Sequence, residues 1–173
     1  MANVIEEKRF GELVLLLNEL EAMHLELVDL IRSRTSAMKK NDVVAMRELG
    51  ERERALAARI QEREGLRRQL VALIGKQEGW SARMARAFSI SQLAARVAEP
   101  QRSTLIEVAS RLRNAVVRVA KANRVAGEFA QAILEHLRWV FAAVRPEGER
   151  QLGYSGDGLV TAGGGRAIFD TVG

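Results

Sequence analysis

The 173-residue chain contains no cysteine, two prolines and few aromatic residues, 5% in all. Without cysteine there is no disulfide framework, no thiolate nucleophile and no thiolate metal ligand, and a reducing compartment is compatible. The scarcity of aromatic residues and proline argues against a sheet protein or a compact mixed enzyme. No stretch approaches the run of about eighteen apolar residues that a membrane span requires. The opening MANVIEEKRF carries Glu6 and Glu7 where a secretory signal would need positive charge ahead of an apolar core. A soluble, cytoplasmic protein is expected.

What is present is alanine, leucine, arginine and glutamate, the stock of long helices. At 47% hydrophobic residues the chain can fill the core of one domain. The fold class expected is all-α. The net charge of +5 is local rather than general: residues 1–38 carry four basic and seven acidic side chains, and residues 80–124 carry nine basic and two acidic. An acidic first helix and a basic later one can complement each other side by side.

Apolar residues recur at spacings of three and four along most of the chain. In residues 3–38 they fall at Phe10, Leu13, Leu17, Leu20, Leu27 and Ile31, with a neighbouring row at Leu16, Met23 and Leu30. Asn41 or Asp42 can cap the next helix, which is expected to run to about Ile74 and stop at Gly75. Its buried edge is read at Leu49, Leu56, Ile60, Leu66, Leu70 and Leu73, and its outer face pairs Glu48 with Arg52 and Glu64 with Arg68. A short helix is expected near residues 91–98, capped by Ser89 or Ser91, with Trp80 and Phe88 as local anchors. Pro100 opens the last helix.

That helix carries one long seam through Leu105, Val108, Leu112, Ala115, Val119, Ala122, Ala126, Phe129, Ile133, Leu137, Val140 and Val144, and a parallel row through Val116, Asn123 and Ala130. Small residues in its middle let partner helices approach closely. Pro146 and Gly148 end it. The architecture expected is an elongated antiparallel bundle, or coiled coil, of three long helices and a short one. It occupies residues 1–146, with a glycine-rich tail at 147–173.

Signatures of chemistry fail when tested against their requirements. Glu21-x-x-His24 has the spacing of a metal-binding pair on one helix face, but carboxylate-bridged centres need a second copy, and His136 lacks its glutamate. Gly156-Asp157-Gly158 begins a dinucleotide fingerprint, yet Thr161 stands where the third glycine is required and no strand precedes it. No nucleophile and base fall into a recognisable arrangement. A non-enzymatic protein without cofactor, metal or small-molecule substrate is expected.

Interaction remains. Eight of the fourteen glycines lie beyond Pro146, so this segment has high chain entropy. Leu152, Tyr154, Leu159, Val160, Ile168, Phe169 and Val172 are nevertheless set along it. A spacer has no need of such residues, whereas a segment that orders on a partner uses them as anchors.

The order of these pieces resembles the FlgN-type flagellar export chaperones over nearly the whole chain. The match runs from FGELVLLLNELEAMHLELVDLI through KKNDVVAMREL, REGLRRQLVALIG, SISQLAARV and KANRVAGEFAQAILEHLRWV. It ends in a tail with Tyr154 and Gly158 as Tyr-x-x-x-Gly, then Ile168 and Asp170 as Ile-x-Asp. The resemblance implies a cytoplasmic chaperone that binds hook-associated (hook-filament junction) proteins, prevents their premature assembly and delivers them to the type III export apparatus, its gate and ATPase complex. It further implies client binding by the C-terminal region and export-gate docking by a tail tyrosine, which here is Tyr154.

From the residues, the expected client surface comprises Ala126, Phe129, Ile133, Leu137, Val140 and Val144 of the last helix with Leu152, Leu159, Val160, Ile168 and Phe169 of the tail. Two alternatives stay open. One is a basic helical nucleic-acid-associated protein, suggested by Arg102, Arg111, Arg113, Arg118, Lys121 and Arg124 but supported by no binding-module motif. The other is a structural coiled coil that self-associates, and a homodimer in the absence of client is a related alternative.

Overall fold

A tight reversal at Lys40–Asp42 turns the first helix back on itself, and the local chemistry shows why. The computed structural model of the chain describes residues 7–77, 79 and 90–144. Helix α1 runs Glu7–Lys39 and α2 runs Val43–Gln77. Asn41 takes the left-handed conformation (φ 55°), the Asp42 amide donates to the Ala37 carbonyl at 3.0 Å and the Asn41 amide to Met38 at 3.1 Å. This is the Schellman closure, which satisfies carbonyls the helix end would leave bare. Asp42 then caps α2, its Oδ1 accepting from the Ala45 amide at 3.0 Å. Of the two cap candidates, Asp42 therefore caps α2 and Asn41 terminates α1.

The reversal makes α1 and α2 antiparallel, and cross-links along the seam record it. Arg34 donates through Nε to Glu53 at 2.7 Å, and Arg63 lies 3.5 Å from Glu19. Met23, Leu30 and Leu56 form a buried cluster between the two helices, flanked by Leu27, Leu49 and Ile60. The expected stripe of α1 is buried or half-buried throughout, joined by Val28 and by Thr35, whose hydroxyl donates to the Ile31 carbonyl.

The expected edge of α2 needs correcting. Leu66 and Leu73 are exposed, while Val71, Ile74 and Gly75 are buried. After Ile60 the inward row passes through Arg63, Glu64 and Arg67, each half-buried, before reaching Val71 and Ile74. Arg67 grips Glu64 through two hydrogen bonds, 2.7 and 2.6 Å, so these charged side chains lie along the seam with their heads paired. Gly75 does not stop the helix, because burial of Ile74 and Gly75 outweighs the roughly 1 kcal/mol that glycine costs in a helix interior. Glu64 also meets Arg68 at 3.3 Å as expected, but Glu48 and Arg52 form no ion pair.

Helix α3 is shorter than expected, Ile90–Ala94. The Arg96 amide closes a tight turn onto the Leu93 carbonyl at 2.9 Å, and Val97 turns into the core. Trp80, Phe88 and Ser89 lie outside the described residues. Helix α4 spans Gln101–Val144, with Pro100 just ahead of it. Its cap is Glu99, whose carboxylate accepts from the Ser103 hydroxyl at 2.6 Å and the Ser103 amide at 3.2 Å.

The chain divides into two units, Met1–Ala130 and a second that begins at Gln131. Within the first, Leu13 and Leu17 of α1, Val71 and Ile74 of α2, Leu93 of α3, and Leu105 and Val108 of α4 share one buried cluster. Farther along, Arg111 donates to Glu21 at 3.0 Å and to Asn18 at 2.6 Å, and Lys39 lies over the Phe129 ring. Residues 105–129 of α4 therefore follow α1 in the same direction, and the acidic first helix meets the basic last one at Arg111. Hydrogen bonding to Glu21 holds the Arg111 guanidinium above its ordinary pKa.

The anticipated seam of α4 packs from Leu105 to Phe129, with uneven burial, whereas farther along Leu137 is exposed. Leu105, Val108, Ala115 and Ala126 are buried, and Leu112, Val119, Ala122 and Phe129 are half-buried. The parallel row is not a second seam, since Val116 and Asn123 are exposed.

Two glutamates are held in their charged form by hydrogen bonds, which gives an expected sensitivity to acid. Glu64 is held below its ordinary value of 4.5 chiefly by the Arg67 hydrogen bond, and Glu99 chiefly by the Ser103 hydroxyl. A carboxylate with a depressed folded-state pKa contributes stability that is complete above its unfolded value and is lost as pH falls through the folded one. The urea midpoint is therefore expected to fall as pH drops below 4.5. The Glu64→Gln, Glu99→Gln double variant should show a shallower fall, and an identical pH profile would rule these two groups out.

Candidate functional site: the C-terminal end of helix α4

Residues 131–144 of α4 belong to the second unit and show a composition that the rest of the helix lacks. Gln131, Glu135, His136 and Arg138 are their only polar side chains, so apolar groups reach nearly every side of the helix. Leu134 is 55% exposed, Leu137 43%, Trp139 69% and Phe141 68%. Ile133 and Val140 are half-buried. Residues at steps of three and four share a helix face, which aligns Leu134, Leu137 and Phe141 as one stripe. Trp139 lies on a different side, its ring stacked on His136 with centroids 6.3 Å apart and planes 24° from parallel. Gln131 donates to Glu135 at 3.2 Å.

A helix that is apolar all round is ordinarily buried. Here three of the largest side chains stand in solvent, and exposed aromatic groups of this size are the usual anchors of protein interfaces.

The residues expected from sequence divide between the two units. Ala126 is 5% exposed and packed within the first. Phe129 is half-buried there, with the Lys39 ammonium 5.7 Å from its centroid. Ile133, Leu137 and Val140 lie in the second unit, and of these Leu137 is exposed. The Val144 side chain, and Leu152, Tyr154, Leu159, Val160, Ile168 and Phe169, lie outside the described residues. Sequence reasoning passed over Leu134, Trp139 and Phe141, because it followed the seam that packs. The density of apolar residues after Ala130 was the available signal.

His24 is tied to its own helix, with Nδ1 donating to the Leu20 carbonyl at 2.6 Å, and Glu21 is engaged by Arg111. Among the described residues no group of three or more histidine, cysteine or acidic side chains is placed to hold a metal ion. None of the described helices is long and apolar enough to cross a membrane.

Against protein-family models, the one described as FlgN protein matches residues 1–162. The chain belongs to the FlgN family. FlgN proteins are chaperones of flagellar biogenesis, and this places the chain's role in flagellar protein export, with proteins as its partners. The match covers all of α1 to α4 and extends into the glycine-rich segment. Neither the curated proteins nor the solved structures gave a match to the chain.

Proposed function

We propose that this FlgN-family chain is a cytoplasmic export chaperone that holds hook-filament junction proteins unassembled and hands them to the type III export apparatus. Its client surface is formed by Ile133, Leu134, Leu137, Trp139, Val140 and Phe141 together with the apolar residues of 147–173, and Tyr154 docks at the export gate. The observation that carries this reading is the exposure of Leu134, Leu137, Trp139 and Phe141 on a helix end that has few polar residues to face water. A subunit built to polymerise presents an amphipathic terminal helix, and covering it requires apolar surface on the chaperone. The tail supplies further apolar anchors, Leu152, Leu159, Val160, Ile168 and Phe169, along a glycine-rich segment.

Removal of residues 147–173 tests the tail's part. Junction-protein capture in a pull-down is expected to be lost while the helical circular dichroism signal stays almost unchanged. Capture at the full level would refute client binding by the tail. Light scattering on the same sample reads the stoichiometry. A one-to-one complex with the junction protein is expected, and a client-independent oligomer that persists in its presence would favour a self-associating coiled coil.

A further inference from the structure

A second surface lies wholly within residues 1–130 and shares no residue with 131–144. Between α1 and α4 the structure leaves a cleft of about 420 Å³. Arg32 and Lys39 line it from α1, Arg118 and Lys121 from α4, with Thr35, Ala122 and Val125 among the remaining wall residues. Ser36 completes the α1 wall, the Thr35 hydroxyl is spent on the Ile31 carbonyl of its own helix, and Ala122 with Val125, 46% exposed, gives the α4 wall an apolar strip beside the cationic heads.

These cations are poorly compensated. Arg32 approaches Asp29 at 3.8 Å, an exposed contact within one helix. Lys39 lies over the Phe129 ring. Among the described residues no carboxylate pairs with Lys39, Arg118 or Lys121. The contrast lies on α4 itself, where Arg111 is met by Glu21 and Glu107, and Arg124 by Glu128. Unpaired like charges around one cleft repel each other, and an anionic occupant relieves that repulsion.

Spacing and lining define the occupant. Arg32 and Lys39 are two turns apart on α1, about 10 Å along the axis, and Arg118 and Lys121 are one turn apart on α4. A single phosphate is too small to meet both ends, and the apolar strip formed with Ala122 and Val125 offers a sugar-phosphate chain nothing. A helix laid in the groove between two helices puts side chains into it at those same intervals. We propose that this cleft docks an acidic amphipathic helix of a partner protein, with carboxylates two turns apart on the cationic heads and an apolar side chain between them against Ala122 and Val125.

The test uses the full chain and a fluorescein-labelled, alanine-based helical peptide carrying glutamates two turns apart with leucine between them. Its partner probe has glutamine at both acidic positions. By fluorescence anisotropy the glutamate peptide is expected to bind roughly tenfold more tightly than the glutamine peptide. Its affinity should fall between about 150 mM and about 500 mM salt, since added ions screen exposed charge. Arg118→Glu with Lys121→Glu should weaken it by a further factor of roughly ten, and Arg118→Gln with Lys121→Gln should fall between, with circular dichroism unchanged.

Failure of the glutamate peptide to bind would overturn the proposal, as would binding that ignores the charge reversal. A single-stranded oligonucleotide that binds more tightly and responds to the same variants would overturn it in favour of nucleic acid. Self-association abolished by the reversal would overturn it in favour of a second copy of the chain.

Discussion

Replacing Trp139 and Phe141 together with serine is expected to weaken junction-protein binding by roughly 100-fold, equivalent to about 3 kcal/mol, with helicity and thermal midpoint held near wild type. The size follows from what the two rings do. Each is more than two-thirds exposed, so neither contributes packing whose loss would unfold the chain. Large aromatic groups that become desolvated at an interface dominate its energy. Residues two apart on a helix point about 200° apart, so the rings serve different sides. The single variants then report which side faces the client. Isothermal titration with purified junction protein measures the effect. An affinity unchanged in the double variant would remove this helix end from the client surface.

Leu105→Ala is expected to lower stability by about 3 kcal/mol, from lost burial and the cavity left behind. Leu105 is fully buried where α1, α2, α3 and α4 meet, and it is the first seam residue that ties α4 to the hairpin. For a chain of this size that loss lowers the thermal midpoint by about 6–12 °C. The control sits one position along the helix. Ile106 is 53% exposed, and Ile106→Ala is expected to stay within about 0.5 kcal/mol. Calorimetry on both variants checks the contrast, and equal effects would mean that the seam is misplaced.

Helix number and order were legible because three-and-four spacing is a direct consequence of helical geometry. The row from Leu13 to Ile31 and the seam from Leu105 to Ala126 both pack as their spacing indicates. The inner face of α2 was only partly legible past Ile60, where Leu70 does pack against the core. It is lined there by Arg63, Glu64 and Arg67, and a reading that follows apolar residues slips onto Leu66 and Leu73 instead. The cap of α4 was missed because a glutamate reaching forward to Ser103 has no fixed signature in sequence. At the helix end the same bias acted in reverse. The seam led to Ile133 and Val140, which are half-buried, and to Leu137, which is exposed, while Leu134, Trp139 and Phe141 stand off the seam and hold most of the exposed area. The cleft between α1 and α4 depends on which cations lack a partner, and sequence alone does not show that.

The three-residue reversal between α1 and α2 also sets an order of assembly. Closing it joins near neighbours in the chain and demands little loop entropy, whereas the Arg111 contacts to Glu21 and Asn18 span 90 and 93 positions. On a ribosome the hairpin can close while α4 is still in the exit tunnel, because synthesis runs from the N-terminus. Trp139 and Phe141 then emerge only after the hairpin against which the first part of α4 packs has been made.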